Sequence, residues 1–467
     1  MDFALDVVVL AAGKGTRMKS RWPKVLQRLG GQPLLAHVLQ QAAQLQARQA
    51  VVVTGHEAGQ VEAALADWGA ALPLALRCVR QQPQLGTGHA VQQALPLLPD
   101  DGVTLVLSGD VPLTEAATLR ALLALCAGQQ LALLTLRLPD PSGYGRIERA
   151  ADGSVQAIVE HKDASAAQLG IDEIYSGIMA APTRLLRPWL AQLDNRNAQG
   201  EYYLTDVVRH ARAAGCPVQA HRIDDALQVA GVNSPAQLAE LERALQRRQA
   251  EHLMAQGVRL ADPARLDVRG RLHCGQDVEI DVNCVFEGEV HLGDGVRIGA
   301  NCVIAQARIA AGAQILPFSH IDGQRDPVQV GAGAQVGPFA RLRPGTRLGP
   351  EVHIGNFVEV KNSTLAAGAK ANHLAYLGDA TVGERVNYGA GSITANYDGA
   401  AKHRSVIEPD VHVGSNCVLV APITLGAGGT IGAGSTLTKS TPPGALTVAR
   451  GKQISLPGWQ RPKKGKG

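Results

Sequence analysis

An α/β domain followed by a parallel β-helix is the fold this sequence predicts. Three observations predict it. Short aliphatic runs alternate with helical periodicity up to about residue 230, aliphatic residues then recur at every sixth position, and glycine supplies 52 of 467 residues. The alternation reads as βα units on a mostly parallel, doubly wound sheet. The period of six reads as one inward side chain per short strand, with glycine or another small residue at the tight turn between faces.

The candidate strands of the first half are Asp6–Leu10, Ala50–Thr54, Thr104–Ser108, Ala132–Arg137, Ile174–Ala180 and Val218–Arg222, with helices between them such as Pro33–Ala47 and Thr114–Ala127. Near Asn233 the texture changes. Ser234, Pro235 and Gln237 spell a helix start with proline at the first helical position, and a charged helix then runs to about Gln256. Beyond Asp281 the aliphatic positions step by six through Leu292, Ile298 and Ile304, through Val330, Val336, Leu342, Leu348, Ile354 and Val360, and again from Val413 to Leu437. An α-helical pattern would need spacings of three and four and far fewer glycines. The repeat is interrupted at Pro317–Pro327 and at Tyr388–Pro409, and insertions in a solenoid map to loops on one face, where binding often occurs. The expected organisation is a first domain over 1–233, a linker helix over 234–257 and a β-helix domain with a C-terminal tail over 258–467.

Composition excludes several functions. Lys plus Arg is 45 against 41 for Asp plus Glu, and charged residues make up 18%, so no domain-wide basic field for nucleic acid follows. Hydrophobic residues at 45% exclude a mostly disordered chain. Asp2 and Asp6 stand where a secretory signal needs cations, and the stretch Leu119–Leu138 is broken by Arg120, Gly128, Gln129 and Gln130, so neither a signal nor a membrane span is expected. The seven scattered cysteines form no C-x-x-C pair and read as buried, reduced thiols behaving as small hydrophobes. A cytoplasmic location is expected, with no membrane or nucleic-acid partner.

The first strand leads into Leu10-Ala11-Ala12-Gly13-Lys14-Gly15-Thr16-Arg17-Met18 and then Pro23-Lys24. This is not a Walker A loop, and Met18 stands where a dinucleotide fingerprint has its third glycine. Small residues nonetheless let backbone N–H groups approach phosphates, and Lys14, Arg17 and Lys24 put cations at the carboxyl end of the strand. Asp110 follows another apolar strand, where a carboxylate can hold Mg²⁺ against triphosphate oxygens.

Leu10–Gly13 with Gly15-Thr16-Arg17 and Pro23-Lys24 resembles the signature of sugar-nucleotide pyrophosphorylases. Gln84–Ala90 (QLGTGHA), Gly109–Leu113 (GDVPL), Gly143–Ile147 (GYGRI) and Glu160–Asp163 (EHKD) narrow the resemblance. With the hexapeptide half added, the whole chain is similar to the bacterial bifunctional N-acetylglucosamine-1-phosphate uridyltransferases/glucosamine-1-phosphate N-acetyltransferases. The resemblance implies a Rossmann-like nucleotidyltransferase domain and a left-handed β-helix, with the acetyl group of acetyl-CoA passed to glucosamine-1-phosphate before UMP is passed from UTP to N-acetylglucosamine-1-phosphate.

It also implies residue roles. Asp110 and Asn233 would hold Mg²⁺, and Arg17 and Lys24 would neutralise phosphate charge. Leu10, Ala11, Ala12, Gly13, Gln81, Gly86 and Thr87 fall on uridine contacts, with Ser108 and Gly109 beside them. Gly145, Glu160 and Tyr175 fall on sugar contacts, and Glu201–Asp206 match a sugar-pocket segment. Ser108 and Tyr175 depart from the pattern, standing where Tyr and Asn are usual.

In the β-helix, His373 falls on the general base that takes the amine proton, a role its reference pKa near ~6.5 suits. Arg343, Lys361, Tyr376 and Asn387 fall on the glucosamine-1-phosphate site. Ala390, Asn396, Tyr397, Ser415, Ala433 and Arg450 fall on acetyl-CoA, with Asn396 also polarising the carbonyl or orienting the amine. Glu359 is a candidate to tune His373, and the basic end Arg461–Gly467 reads as solvated or touching CoA phosphates. The family forms homotrimers, so a homotrimer acting on small-molecule substrates is expected. Two other readings make opposite demands on the residues. A monofunctional nucleotidyltransferase with a regulatory β-helix has no use for the His373, Arg343, Lys361 and Asn396 constellation, and a non-catalytic interaction subunit would have lost Lys24, Asp110 or Asn233.

Overall fold

The run VVVL becomes part of the central strand of a nine-stranded sheet in the computed structural model, which describes residues 3–461. The strands are β1 (Ala4–Ala11), β2 (Gln49–Thr54), β3 (Ala75–Arg80), β4 (Gly102–Ser108), β5 (Leu131–Arg137), β6 (Arg146–Arg149), β7 (Val155–Val159), β8 (Glu173–Pro182) and β9 (Val218–Ile223). Their spatial order is β9-β5-β8-β4-β1-β2-β3, and β6 pairs with β8 and β7 at the side. β1 is parallel to both β2 and β4, while β8 runs antiparallel to β4 and β5.

Both faces of the sheet are covered. Val7 and Val9 of β1 pack with Leu35, Val38, Leu39, Leu119 and Leu122 in one core, whereas Val8 packs with Val91, Leu186, Trp189 and Leu190 in another. Successive side chains of a strand point to opposite faces, and all three valines are fully buried, so the run is continuous rather than alternating. The chain steps from β1 outward to β3 and returns to β4 on the other side of β1. That reversal opens a crevice at the carboxyl ends of β1 and β4, where ligands of doubly wound sheets bind.

Three strands escaped the sequence pattern. β3 is the exposed edge, where Arg77 and Arg80 blunt the strand and dilute its hydrophobic signal. The hairpin β6–β7 is short and closes around the buried Arg146, which donates to the carbonyls of Pro141 and Tyr144.

The chain divides into two units between Leu245 and Gln246, inside the helix Pro235–Ala255. The start of that helix follows from sequence. Ser234 Oγ accepts from Gln237 N–H at 3.3 Å, and Gln237 Oε1 accepts from the N–H of Asn233 at 2.8 Å, so the cap also fixes the Asn233 backbone.

The second unit is a parallel β-helix whose coils repeat every 17 or 18 residues, as in Arg297 opposite Gln314 and Gln335 opposite His353. One face is an eleven-stranded sheet from Arg259–Leu260 to Leu446–Thr447. The other two are joined through the long strands Leu266–Cys274, Cys284–Leu292 and Val303–Ile309. The aliphatic positions of the repeat stack inside: Ile298, Ile315, Val336 and Ile354 are each buried.

The coils begin earlier than the period of six, at Arg259, because each of the first long strands runs across two faces through a glycine of positive φ, Gly270 or Gly288, and its outward residues are polar. The interruptions are also shorter than expected. Strand His320–Asp322 and the buried Tyr388 belong to regular coils, leaving Gly323–Pro327 and Asn396–Arg404 as the inserted loops. All seven cysteines are free thiols, but only Cys126, Cys284, Cys302 and Cys417 are buried; Cys78 is exposed on the edge strand, and Cys216 and Cys274 are half-buried. Among the described residues no helix is long and apolar enough to cross a membrane. The basic end beyond Arg461 lies outside the described residues.

Ile298→Ala removes one inward rung and is expected to destabilise the β-helix by about 2–4 kcal/mol. Calorimetry should show the lower transition in that unit, with the transition of the first unit unchanged.

Candidate functional site

The crevice at the ends of β1 and β4 is lined by Leu10, Ala11, Ala12, Gly13, Lys14, Lys24, Gln81, Gln84, Gly86, Thr87, Ser108, Asp110 and Glu201. Backbone closeness builds it. Gly109 N–H donates to Leu10 O at 2.9 Å, and Gln84, which sequence reading did not single out, donates from Nε2 to Ala12 O at 2.5 Å. Gly15 is forced by geometry: its φ is +57° and a Cβ there would meet Lys24 Cβ at 2.8 Å, so the glycine seats the lysine stem. Gly86, at φ +109°, lies where a Cβ would meet Tyr202 O at 2.7 Å, which ties the QLGTGHA turn to the EYYLTD segment.

Lys24, Asp110 and Asn233 converge from three distant segments. Lys24 Nζ donates to Asp110 Oδ2 at 2.5 Å and to Asn233 Oδ1 at 3.1 Å. Asp110 and Asn233 also flank Gly231, where an added Cβ would lie 3.7 Å and 3.8 Å from their side chains. A carboxylate and an amide oxygen already share one cation here, and both are hard oxygen donors that suit a divalent metal. Arg17 is exposed on the turn Thr16–Met18.

Beside this crevice, Gly145, Glu160 and Thr205 come together. A Cβ on Gly145 would lie 3.7 Å from Glu160 Oε2, and Thr205 Oγ1 donates to Glu160 Oε1 at 2.9 Å. Burial pushes the Glu160 carboxyl above its ordinary range, and Asp163, Asp206 and Glu201 add to the effect. Tyr175 packs into the core beside β5, and its buried hydroxyl has no partner among the described residues.

In the β-helix, His373 ends strand Lys370–His373 on the first face and Tyr376 opens the next face, with Leu374 turning the corner. His373 Nδ1 lies 2.9 Å from Asn356 Oδ1, one coil below. Glu359 does not reach it: its carboxylate accepts from Arg343 at 2.8 Å and Arg341 at 3.5 Å. The partner expected for His373 is thus corrected to Asn356. An Nδ1–H given to that oxygen leaves Nε2 free to accept a proton.

Lys361 lies among Lys402, Arg343 and Asp379, and the Lys402 ammonium holds the Lys361 amine below its ordinary range. Lys402 comes from the inserted loop, which explains why spacing within the repeat did not reveal it. Asp379 is buried and accepts from Asn362 and from Asn396, each at 2.5 Å. Tyr376 Oη and Asn396 Nδ2 both crowd Gly378, where a Cβ would meet them at 2.3 Å and 2.8 Å. Asn387 pairs with His412 in the next coil. Gly391, next to Ala390, bonds the His373 carbonyl, and Arg450 donates to Ala433 O at 2.8 Å close to Ser415, whose carbonyl receives Gly434 N–H. Tyr397 is exposed at the base of the inserted loop, bridged to Lys402.

Comparison with known proteins agrees with both halves. A family model described as a MobA-like NTP transferase domain matches residues 7–260, a bacterial transferase hexapeptide (six repeats) model matches 272–306, and a hexapeptide repeat of succinyl-transferase model matches 405–439. Curated proteins named "Bifunctional protein GlmU" match end to end. That of Polaromonas naphthalenivorans is 74% identical over 464 residues, covering 98% of each chain. That of Paracidovorax citrulli is 73% identical over 470 residues and that of Aromatoleum aromaticum 57% over 462, each covering 99% of both chains.

The raised Glu160 carboxyl sets a sign. A carboxyl whose folded pKa lies above its unfolded value loses stability as pH rises through the folded value, because the fold then holds a buried charge. Glu160→Gln is expected to raise the thermal midpoint of the first unit at neutral pH, with the gap closing at low pH where the wild-type carboxyl is protonated. Calorimetry across pH reads it.

Proposed function

The chain belongs to the family of bifunctional GlmU proteins, and on that premise we propose how its two sites divide one synthesis. The second domain acetylates glucosamine-1-phosphate from acetyl-CoA. The first domain joins the resulting N-acetylglucosamine-1-phosphate to UMP from UTP, releasing pyrophosphate. The product, UDP-N-acetylglucosamine, supplies peptidoglycan and lipopolysaccharide synthesis, and these substrates place the reaction in the cytoplasm.

The family's nucleotidyl transfer uses a divalent metal. In our reading the metal is Mg²⁺, held by Asp110 and Asn233, and it supplies neutralisation of triphosphate charge. The observation that carries this is the single cation, the Lys24 ammonium, already seated between the two oxygens. Leu10–Gly13, Gln81, Gly86 and Thr87 bind uridine along the crevice. Lys24 then serves the phosphates together with Arg17, whose exposed side chain is free to fold over them. Attack by the sugar phosphate oxygen on the α-phosphorus needs alignment and charge neutralisation and no protein nucleophile. Glu160 and Gly145 hold the sugar, with Tyr175 packed in the core close enough to Glu160 to feel its charge.

For acetyl transfer, His373 Nε2 takes the proton from the glucosamine amine as it attacks the thioester carbonyl, with Asn356 fixing the ring. Arg343 and Lys361, with Lys402 beside them, bind the sugar phosphate, and Tyr376 and Asn387 complete that site. Asn396, locked by Asp379, orients the amine or the carbonyl. Ala390, Tyr397, Ser415, Ala433 and Arg450 take the coenzyme. We place a homotrimer on the corner that carries His373, where Phe318, Phe339 and Phe357 stack ring on ring at 4.9 and 5.4 Å and continue into Leu374. All four are about half exposed or more, an apolar ridge suited to a second copy.

Following free thiol and pyrophosphate separately tests the division. His373→Ala is expected to abolish thiol release and leave pyrophosphate release from N-acetylglucosamine-1-phosphate intact, and Asp110→Ala to do the reverse. Pyrophosphate without any thiol from wild type would make the β-helix a scaffold.

A further inference from the structure

The first two coils of the β-helix carry a cluster that neither reaction uses. His273 and His291 stand at the same register on the neighbouring strands Leu266–Cys274 and Cys284–Leu292. Their rings stack with centroids 4.6 Å apart and planes 14° from parallel. Glu289 lies two residues before His291 and therefore on the same side of the strand, and its Oε1 is 2.8 Å from His291 Nε2. One donor atom from each of the three lies within 4.8 Å of the others. The intervening Leu272 and Val290 pack against the core, so the strands cannot rotate the three donors apart.

Two imidazoles and one carboxylate form a donor set for borderline d-block ions, whereas Mg²⁺ and Ca²⁺ prefer oxygen alone. We propose that His273, Glu289 and His291 bind a divalent transition-metal ion of the Zn²⁺ class, with water completing its coordination, and that the ion clamps the first coil to the second. Small side-chain rotations bring the donors onto one ion, because adjacent rungs already hold them in one row. Binding takes neutral imidazoles, so the ion displaces any proton shared between His291 and Glu289. Cys274, next in sequence, packs against the core on the inward side of the strand, away from the three donors.

Two cations oppose the ion. Arg271 stands opposite Glu289 in the first coil, and Arg308 continues the His291 row in the third. The affinity therefore comes from the three ligands and not from the surrounding field. Added salt, which screens the guanidinium charges, should leave binding unchanged or strengthen it, the reverse of a diffuse acidic surface.

The test uses the full-length protein with Mg²⁺ in excess, so that the oxygen-donor site of the first domain is filled. Co²⁺ is titrated and its visible ligand-field absorption followed, then displaced with Zn²⁺. The expected result is one ion per chain, an affinity lowered at least about tenfold in His273→Gln and in His291→Gln, and a Zn²⁺-dependent rise in the β-helix melting temperature that both variants lose. Both side chains are at the surface, so the variants fold, and unchanged thiol release, the β-helix's own activity, confirms it. Equal Co²⁺ affinity in wild type and variants, or binding that weakens steadily with salt, overturns the proposal.

Discussion

The contact of the Lys24 ammonium with Asp110 and Asn233 is the interaction on which the first domain's site depends. It joins the loop after the first strand, the end of the fourth and the residue before the long helix. Each partner is fixed by its own backbone: Lys24 by the glycine at 15, Asp110 by the carbonyl it offers to Val232 N–H, and Asn233 by the side chain of Gln237. A partly buried charge pair of this kind is weak evidence of stability, since desolvation offsets much of its attraction. Its worth lies in placing two hard oxygens at one point beside a crevice of small residues.

The β-helix works under a different constraint. Each coil is nearly identical in length, so residues about 17 apart become neighbours whether or not they resemble one another. His373 thereby meets Asn356, Asn396 meets Asp379, and His273 meets His291 at a spacing of 18. The stack is stiff and quasi-one-dimensional, and outward residues are free to carry chemistry because inward ones alone build the core. The inserted loop Asn396–Arg404 breaks that regularity and brings Lys402 beside Lys361 and Arg343.

What could be read from sequence follows from these constraints. The strands that are buried on both faces, such as the VVVL run, announced themselves, and so did the hexapeptide rungs, because burial dictates residue type there. The edge strand Ala75–Arg80 and the first coils were hidden, since exposure leaves residue type free. Leu10–Gly13, Lys24, Gln81, Gly86, Thr87, Ser108 and Asp110, legible as motif residues, line one crevice, but the bonding partners of the site residues were not legible. Asn356 and Asp379 bond across coils, and Thr205 reaches Glu160 from a separate turn, so no local spacing marks them. Glu359 does not pair with His373 for the same reason: the two stand on strands of different faces, and Arg341 and Arg343 take its oxygens.

The chemistry of the first domain turns most directly on where the metal goes. A crystal structure of the protein with UTP, N-acetylglucosamine-1-phosphate and Mn²⁺ in place of Mg²⁺, with the metal located by anomalous scattering, decides it. The expected map has the ion bound to the Asp110 carboxylate and the Asn233 amide oxygen, with the Lys24 ammonium moved onto phosphate. An ion bound away from both residues, with Lys24 still bridging them, would contradict the account.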